Sequence, residues 1–155
     1  MPMSKYCKEI MEELVYTRII SENDPDVARL YSIYKLPEVS QFINVSDNYF
    51  NYVTNTPNVY FYKVCKSENL VGAIHLEKCE KTLYLDILIF PEYQKMGLAT
   101  RVIEDIKNDI FNFGYERIEI SIDEKNAASI NLFKNAGFAF VSKEDELLNY
   151  IYKKG

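Results

Sequence analysis

One stretch of the chain constrains its fold more than any other: an apolar strand that passes through a proline and a glycine loop into an amphipathic helix. The run TLYLDILIF at 82–90 predicts a central β-strand covered on both faces, and Pro91 ends it. From Leu98, apolar residues recur at helical spacing, which predicts a helix over 98–113 with Gly114 at its C-cap. A strand that leads directly into a helix is typical of a mixed α/β sheet.

The rest of the sequence supplies the other elements of that sheet. Residues 13–20 predict a first strand, and residues 24–56 predict two helices, the second of them short. Further elements are predicted at 59–66, 70–77, 116–123, 127–135, 138–142 and 147–153. The predicted fold class is therefore α/β, a mixed and mostly antiparallel sheet flanked by helices, in the order β-α-α-β-β-β-α-β-α-β-β.

Length and charge exclude several classes of protein. A chain of 155 residues predicts one domain over 1–155, at roughly 100–200 residues per domain. Acidic residues exceed basic ones by 23 to 18, whereas nucleic-acid-binding proteins normally show the opposite sign, so we expect no nucleic-acid partner. No signal peptide and no apolar stretch near the roughly 18 residues of a membrane span are visible, which predicts a cytoplasmic protein without a membrane partner.

The cysteines and the histidine do not form a metal-binding pattern. Cys7, Cys65 and Cys79 contain no CxxC pair, and His75 is the single histidine of the sequence. A zinc site usually needs four such ligands at characteristic spacings. An odd, scattered set of cysteines is typical of reduced thiols in a cytoplasm, so we expect no metal and metal-independent activity.

The loop between the central strand and its helix predicts an anion site. A loop that leads straight into a helix points backbone N–H groups outward at the positive end of the helix dipole. Gly97 allows the backbone to approach an anion without a Cβ in the way. Taken alone, the same pattern also fits a purely structural turn.

Two motifs extend this pattern. Residues 94–99, QKMGLA, resemble the (Gln/Arg)-x-x-Gly-x-(Gly/Ala) acyl-CoA motif of the GNAT superfamily of N-acetyltransferases. Residues 126–138, NAASINLFKNAGF, resemble the family's Asn-x-x-Ser-x-x-Leu-Tyr-x-x-x-Gly-Phe. The resemblance is good over 59–142, and PEVSQF at 37–42 is similar to the branch that acetylates ribosomal-protein N-termini.

The resemblance implies a GNAT-like fold and an acyltransferase that uses acetyl-CoA as co-substrate and transfers its acetyl group directly to a primary amine. The end of the central strand then separates from its parallel neighbour and binds the pantetheine arm, while amides over 95–100 hold the pyrophosphate. The residues that it implies for cofactor binding are Leu88, Ile89, Phe90, Gln94, Lys95, Met96, Gly97, Leu98, Ala99, Thr100, Asn126, Ser129 and Phe133.

The general base is predicted with alternatives. The attacking amine must be neutral, so a carboxylate or a water has to accept its proton. Asp86 lies on the central strand just before the acetyl site and is the preferred candidate, with a structural role as the alternative. Glu119 is a second candidate or a surface residue, and Ser121 stands where some relatives carry Glu. We expect His75 in the core or at its rim.

The proton donor for the leaving thiolate is equally open. The family commonly has Tyr where this chain has Phe133, which carries no proton to give. Ser129, one helical turn earlier, is a candidate donor or a helix N-terminal hydroxyl. Tyr150 and Tyr152 are further candidates, with packing as their alternative role.

Two functions therefore stay open at this point. The first is an acetyl-CoA-dependent N-acetyltransferase acting on a small-molecule amine, such as a polyamine or an aminoglycoside, or on a protein N-terminus, because a net-negative surface favours a cationic acceptor. The second is a catalytically weak acyl-CoA-binding regulatory module of the same fold. We expect a monomer or a homodimer.

Overall fold

The computed structural model describes residues 13–155, so Cys7 lies outside the described residues. Its strands are β1 (Val15–Arg18), β2 (Val59–Lys66), β3 (Asn69–Cys79), β4 (Thr82–Ile89), β5 (Arg117–Asp123), β6 (Ala139–Glu144) and β7 (Leu147–Lys153). These form one sheet in the order β1-β2-β3-β4-β5-β7-β6, in which every pair except β4–β5 is antiparallel. The predicted α/β class with a mostly antiparallel mixed sheet is confirmed.

The helices lie between these strands in the predicted places, with one addition. They are α1 (Val27–Tyr34), α2 (Pro37–Ser40), α3 (Tyr49–Asn55), α4 (Leu98–Lys107) and α5 (Ala127–Asn135), and a 3₁₀ turn spans Pro91–Tyr93. The stretch after α1 thus holds two short helices where one was predicted, because Pro37 starts α2 at a position that proline favours. Within residues 13–155, no helix is both long and apolar enough to cross a membrane.

Helix α4 is shorter than its apolar pattern predicts. It ends at Lys107, since Asp109 takes a left-handed conformation with φ 55°. The Asp109 carboxylate then accepts hydrogen bonds from the backbone N–H groups of Phe113, at 2.8 Å, and Gly114, at 2.9 Å. Ile110, one of the apolar residues at helical spacing within the predicted 98–113 helix, is 50% exposed. The prediction of a helix to residue 113 is therefore wrong.

The parallel pair of strands separates along its length. β4 pairs with β5 only from Thr82–Arg117 to Tyr84–Glu119. Beyond that point β4 keeps its antiparallel partner β3 as far as Ile89, opposite Gly72, and within residues 13–155 no strand pairs with its other edge. The sheet therefore opens between β4 and β5, and the free edge of β4 faces the gap.

The two faces of the sheet are covered by different helices. One apolar core contains α4 residues such as Ile103 together with Leu85 and Ile89 of β4. The other contains α1 and α3 residues together with Leu88 and Phe90. Because side chains alternate along a strand, successive β4 residues face opposite cores, and β4 can line a cavity on each side of the sheet.

Candidate active site

A groove of about 530 Å³ lies between the end of β4, the start of α4 and the helix α5, and we refer to it as the α4 groove. It is lined by residues 87–89, 93–95, 97–100, Asn126, Ala128, Ser129, Leu132 and Phe133, and by Glu38, Val39, Gln41, Phe42 and Ile43. The groove thus runs from the unpaired end of β4 to the first turn of α4.

The loop before α4 is shaped to present backbone amides. The Gln94 side chain ties it to the end of β4 by donating to the carbonyl of Ile89 at 3.1 Å. Lys95 and Gly97 both adopt left-handed conformations, with φ 65° and 77°. No side chain caps α4, so its first amides keep their hydrogen-bonding capacity, and a Cβ on Gly97 would meet nothing within 4 Å. This arrangement can bind an anion such as a phosphate.

Most residues assigned to the cofactor from the sequence surround this groove. All of them except Phe90 and Met96 line it. Phe90 is buried in the core on the α1 side, with the Arg29 guanidinium 5.2 Å from its ring centre. Met96 is exposed. Neither side chain lines the groove, and the cofactor assignments stay predictions.

Helix α5 supplies the other wall. The Asn126 side chain accepts a hydrogen bond from the backbone N–H of Ser129 at 3.2 Å, so it caps the helix as well as lining the groove. Phe133 lies one turn after Ser129, is 7% exposed, and packs edge-on against Phe138 with ring centres 5.1 Å apart. On this wall the Ser129 hydroxyl is the group able to donate a proton, because Phe133 has none.

A second cavity, of about 520 Å³, opens over β3, β4, β5, β7 and β6, and we refer to it as the acidic cavity. Its lining is His75, Glu77, Tyr84, Leu85, Asp86, Glu119, Ile120, Ser121, Val141, Ser142, Glu144, Asn149, Tyr150 and Ile151. Among these described residues there are four carboxylates and neither lysine nor arginine. A cavity lined by one sign of charge concentrates ligands of the opposite sign, so this one favours cations.

The Asp86 carboxylate lines the acidic cavity without a protein partner among the described residues. It takes part in none of the side-chain hydrogen bonds or ion pairs found among residues 13–155. Although the residue is open to the cavity, the protein atoms that enclose its carboxyl raise the pKa of Asp86 above its ordinary value. His75 lowers that pKa and Glu77 raises it, but neither outweighs the enclosure. Asp86 therefore has the environment of a proton acceptor.

The rival candidates on β5 are engaged elsewhere. Glu119 forms an ion pair with Arg117 at 2.7 Å, and after burial it is the nearby Glu119 that raises the pKa of the Tyr84 phenol. The Ser121 hydroxyl donates to the Asn149 side-chain oxygen at 2.6 Å. Both lie in the acidic cavity, but their polar atoms already have protein partners, which favours Asp86 as the base.

The sequence did not identify His75 and its neighbours as residues of the candidate site. The prediction placed His75 in the core or at its rim, and its side chain is 13% exposed on the wall of the acidic cavity. Its Nδ1 lies 2.7 Å from the Tyr49 phenol oxygen, and its Nε2 lies 3.1 Å from Glu77 Oε1. The β3–β4 hairpin pairs His75 with Asp86. The turn at residues 79–81 is the sequence signal from which that pairing could have been found.

The two tyrosines proposed as proton donors differ in position. Tyr150 is buried, pairs with Ile120 of β5, and lines the acidic cavity. Tyr152 instead packs against Phe138, with ring centres 5.5 Å apart, and lines neither cavity. Of the two, only Tyr150 is placed to reach a ligand there.

Metal-ligating side chains do not converge in the described part of the chain. Over residues 13–155, no three His, Cys, Asp or Glu side chains are arranged to hold a metal ion. Cys65 is half-buried, Cys79 is exposed, and both are free thiols.

Comparison with known proteins identifies a family and a fold. The family model described as "Acetyltransferase (GNAT) family" matches residues 24–138. Spermidine N(1)-acetyltransferase of Escherichia coli (strain K12) is 27% identical over 119 residues, which cover 74% of this chain and 61% of that protein. The chain therefore spans less than two thirds of the length of this curated relative.

Solved structures share the fold at low sequence identity. A domain from Methanocaldococcus jannaschii superposes with a TM-score of 0.78 at 18% identity, covering 92% of this chain and 99% of that one. An acetyltransferase of Bacillus subtilis, solved in complex with CoA, superposes with a TM-score of 0.70 at 15% identity, covering 91% and 99%. At such identities these likenesses establish the architecture.

Proposed function

Because the chain belongs to the acetyltransferase (GNAT) family, we propose that it transfers an acetyl group from acetyl-CoA directly to a primary amine. The membership predicted from the two motifs is confirmed by the family match over residues 24–138. The observation that carries the proposal is the meeting of two cavities along one strand. Residues 87–89 of β4 line the α4 groove, and residues 84–86 line the acidic cavity. A donor in the first would present its acyl group to an acceptor in the second.

In this proposal acetyl-CoA occupies the α4 groove. The open amides after Gly97 bind its pyrophosphate, and the Lys95 side chain adds positive charge nearby. The pantetheine arm lies along the unpaired edge of β4 near Leu88 and takes hydrogen bonds there as a neighbouring strand would. Asn126 and Phe133 line the same arm from α5. The CoA-bound acetyltransferase of Bacillus subtilis shares this architecture.

Catalysis in this proposal begins with removal of a proton from the acceptor. An alkylammonium with a pKa near 10 costs about 4 kcal/mol to deprotonate at pH 7. Asp86 accepts that proton, directly or through a water, since its raised pKa suits a base. The amine nitrogen then bonds to the thioester carbonyl carbon, the C–S bond breaks, and the nitrogen loses its second proton. That second proton reaches the CoA sulfur through the Ser129 hydroxyl or a water, which gives one proton to the sulfur and takes up the one that leaves the nitrogen, so the products are the acetylated amine and the free CoA thiol.

We propose a polyamine as the acceptor. The lining of the acidic cavity carries Asp86, Glu77, Glu119 and Glu144, so it attracts a molecule with more than one positive charge. Glu144 forms no ion pair within residues 13–155, which leaves it available for a second ammonium while the first reacts beside Asp86. The Escherichia coli relative, at 27% identity, is named for spermidine.

The alternative is a module that binds acyl-CoA without turnover. Phe133 favours it, because the family's usual phenol is missing. Asp86 argues against it, since a carboxylate without a protein partner and with a raised pKa is characteristic of sites of chemistry.

Release of free CoA thiol in the presence of different amines separates these functions. With saturating acetyl-CoA, we expect turnover of spermidine with a higher kcat/KM than for butylamine, which carries a single charge. Glu144→Gln should lower kcat/KM for spermidine about threefold, as expected for one exposed ion pair, and leave butylamine unchanged. Glu116→Gln, an exposed carboxylate outside both cavities, is the matched control. Calorimetric binding of acetyl-CoA without thiol release from any amine would establish the module instead.

A further inference from the structure

His75 is fixed from two sides on the wall of the acidic cavity. The Tyr49 phenol lies 2.7 Å from Nδ1, and Glu77 Oε1 lies 3.1 Å from Nε2. Glu77 in turn accepts a hydrogen bond from Tyr52 on the same helix as Tyr49. The ring therefore cannot rotate without losing both contacts, and α3 fixes its orientation over β3.

We infer that His75 and Glu77 are positioning residues for Asp86, the base of the proposed reaction, and that they have opposite effects on its protonation. The inference rests on the proposed function. His75 pairs with Asp86 across the β3–β4 hairpin, and Glu77 is two residues further along the same face of β3. Neither residue has to touch the acceptor to exert this effect.

The neighbouring elements surround Asp86 with acids and phenols. The titratable groups around it are Tyr34 of α1, Tyr49 and Tyr52 of α3, His75 and Glu77 of β3, Tyr84 of β4, Glu119 of β5, Glu144 of β6 and Tyr150 of β7. Among the described residues that line the cavity, His75 is the one basic side chain. It is therefore the group able to offset the surrounding carboxylates.

The tyrosines on the helix side add no charge near Asp86. Burial raises the pKa of Tyr34 and of Tyr49, and the nearby Asp86 raises both further. Both phenols therefore stay protonated at neutral pH. When His75 is protonated, its Nδ1–H donates to the Tyr49 oxygen and its Nε2–H donates to Glu77. Both ring nitrogens then have a partner, so the two contacts accommodate the positive charge.

His75 and Glu77 have opposite effects on Asp86. The positive charge of a protonated His75 lowers the pKa of Asp86, and the negative charge of Glu77 raises it. Removing His75 should therefore make Asp86 a base only at higher pH, and removing the charge of Glu77 should make it a base at lower pH. Replacing a residue that only packs against its neighbours would leave the pKa of Asp86 unchanged.

The test is the pH profile of kcat/KM for spermidine with saturating acetyl-CoA. We expect the acidic limb to move up by about one pH unit in His75→Gln and down by about one pH unit in Glu77→Gln. Glu116→Gln removes one negative charge, as Glu77→Gln does, but it lies outside the cavity and should leave the acidic limb in place. Tyr52→Phe, which removes a contact to Glu77 without changing charge, should also leave the limb close to its original position.

Asp86→Asn distinguishes a failure of this inference from a failure of the base assignment in the proposed function. If Asp86→Asn removes the acidic limb while His75→Gln and Glu77→Gln leave it in place, the inference about the two residues is wrong and Asp86 keeps its role. If the limb persists in Asp86→Asn, both the base assignment and this inference fail. Should His75→Gln not fold, a limb unmoved in Glu77→Gln still overturns the inference, and a limb moved to lower pH supports it.

Discussion

The two cavities that meet along β4 are built in opposite ways. Half of the residues that line the α4 groove belong to one continuous segment, residues 87–100, and the others come from α5 with its cap Asn126 and from residues 38–43. The acidic cavity is assembled from side chains on five strands that lie between residues 75 and 151. The groove offers backbone amides at a helix start, and the cavity offers carboxylates. The groove can therefore be predicted from a short local motif, whereas the cavity depends on how five strands come together.

The α4 groove and the acidic cavity differ in charge, and this difference suits the two proposed substrates. The start of α4 carries the positive end of a helix dipole, which suits phosphates. The acidic cavity carries four carboxylates, which repel phosphates and attract ammonium groups. Donor and acceptor would thus be directed to neighbouring stretches of β4, residues 87–89 and residues 84–86, before any specific contact forms.

The largest expected effect concerns the groove. Gly97→Trp places an indole in space where no protein atom lies within 4 Å of the Cβ, and where the pyrophosphate is proposed to bind. We expect acetyl-CoA affinity, measured by calorimetry, to fall by about a hundredfold or more, which corresponds to about 2.7 kcal/mol. Unchanged affinity in a folded variant would show that the phosphate site is misassigned.

Gly97→Ala is the matched control for that variant. Its methyl group meets open space, so the groove keeps its shape. The positive φ of 77° should cost about 1 kcal/mol of folding stability, seen as a lower Tm. Acetyl-CoA affinity should change far less than in Gly97→Trp.

The next effect concerns the cavity. Asp86→Asn removes the proposed base without removing volume, so kcat/KM for the amine should fall about a hundredfold. Acetyl-CoA affinity should stay close to that of the original chain, because Asp86 does not line the α4 groove. A variant with a near-normal rate would return Asp86 to a structural role.

A smaller effect tests the wall of the α4 groove that α5 supplies. Ser129→Ala should lower kcat a few-fold, because the hydroxyl is the donor proposed for the CoA sulfur. Phe133→Tyr adds a phenol to the same helix wall and should leave kcat unchanged or modestly higher. In that background Ser129→Ala should cost less, since the new phenol donates instead. Equal losses in both backgrounds would exclude Ser129 from this step.

The smallest expected effect is on stability. Because the folded chain raises the pKa of Asp86, its ionised form destabilises the fold at pH values above that pKa. Asp86→Asn should therefore raise the Tm at pH 8, and the gain should shrink as the pH falls toward about 4, the ordinary value for Asp. A Tm difference that is the same at every pH would contradict this origin.

Local sequence patterns predicted the elements that are built from one short segment of the chain. The strand, loop and helix around the α4 groove follow from periodicity, Pro91 and Gly97, and the Asn126 cap follows from its position before α5. The early end of α4 escaped prediction because the Asp109 side chain competes with the helix for backbone amides. That competition leaves no break in the apolar spacing.

The acidic cavity could be predicted only in part. Asp86 stood out as a charge within an apolar strand, and its cross-strand pairing with His75 follows from a short turn. The contact of Tyr49 with His75 depends on how α3 packs onto the sheet, 26 residues away along the chain. Glu144 reaches the cavity from the edge strand β6. Neither position is encoded in a local pattern.

The most direct test of the comparison is a crystal structure of the chain with bound CoA. We expect the pyrophosphate on the amides that follow Gly97 and the thiol at the Leu88 end of β4, open to the acidic cavity and to Asp86. CoA with its phosphates outside the α4 groove, or with its thiol facing away from Asp86, would contradict the proposal that the groove binds the donor and the acidic cavity binds the acceptor.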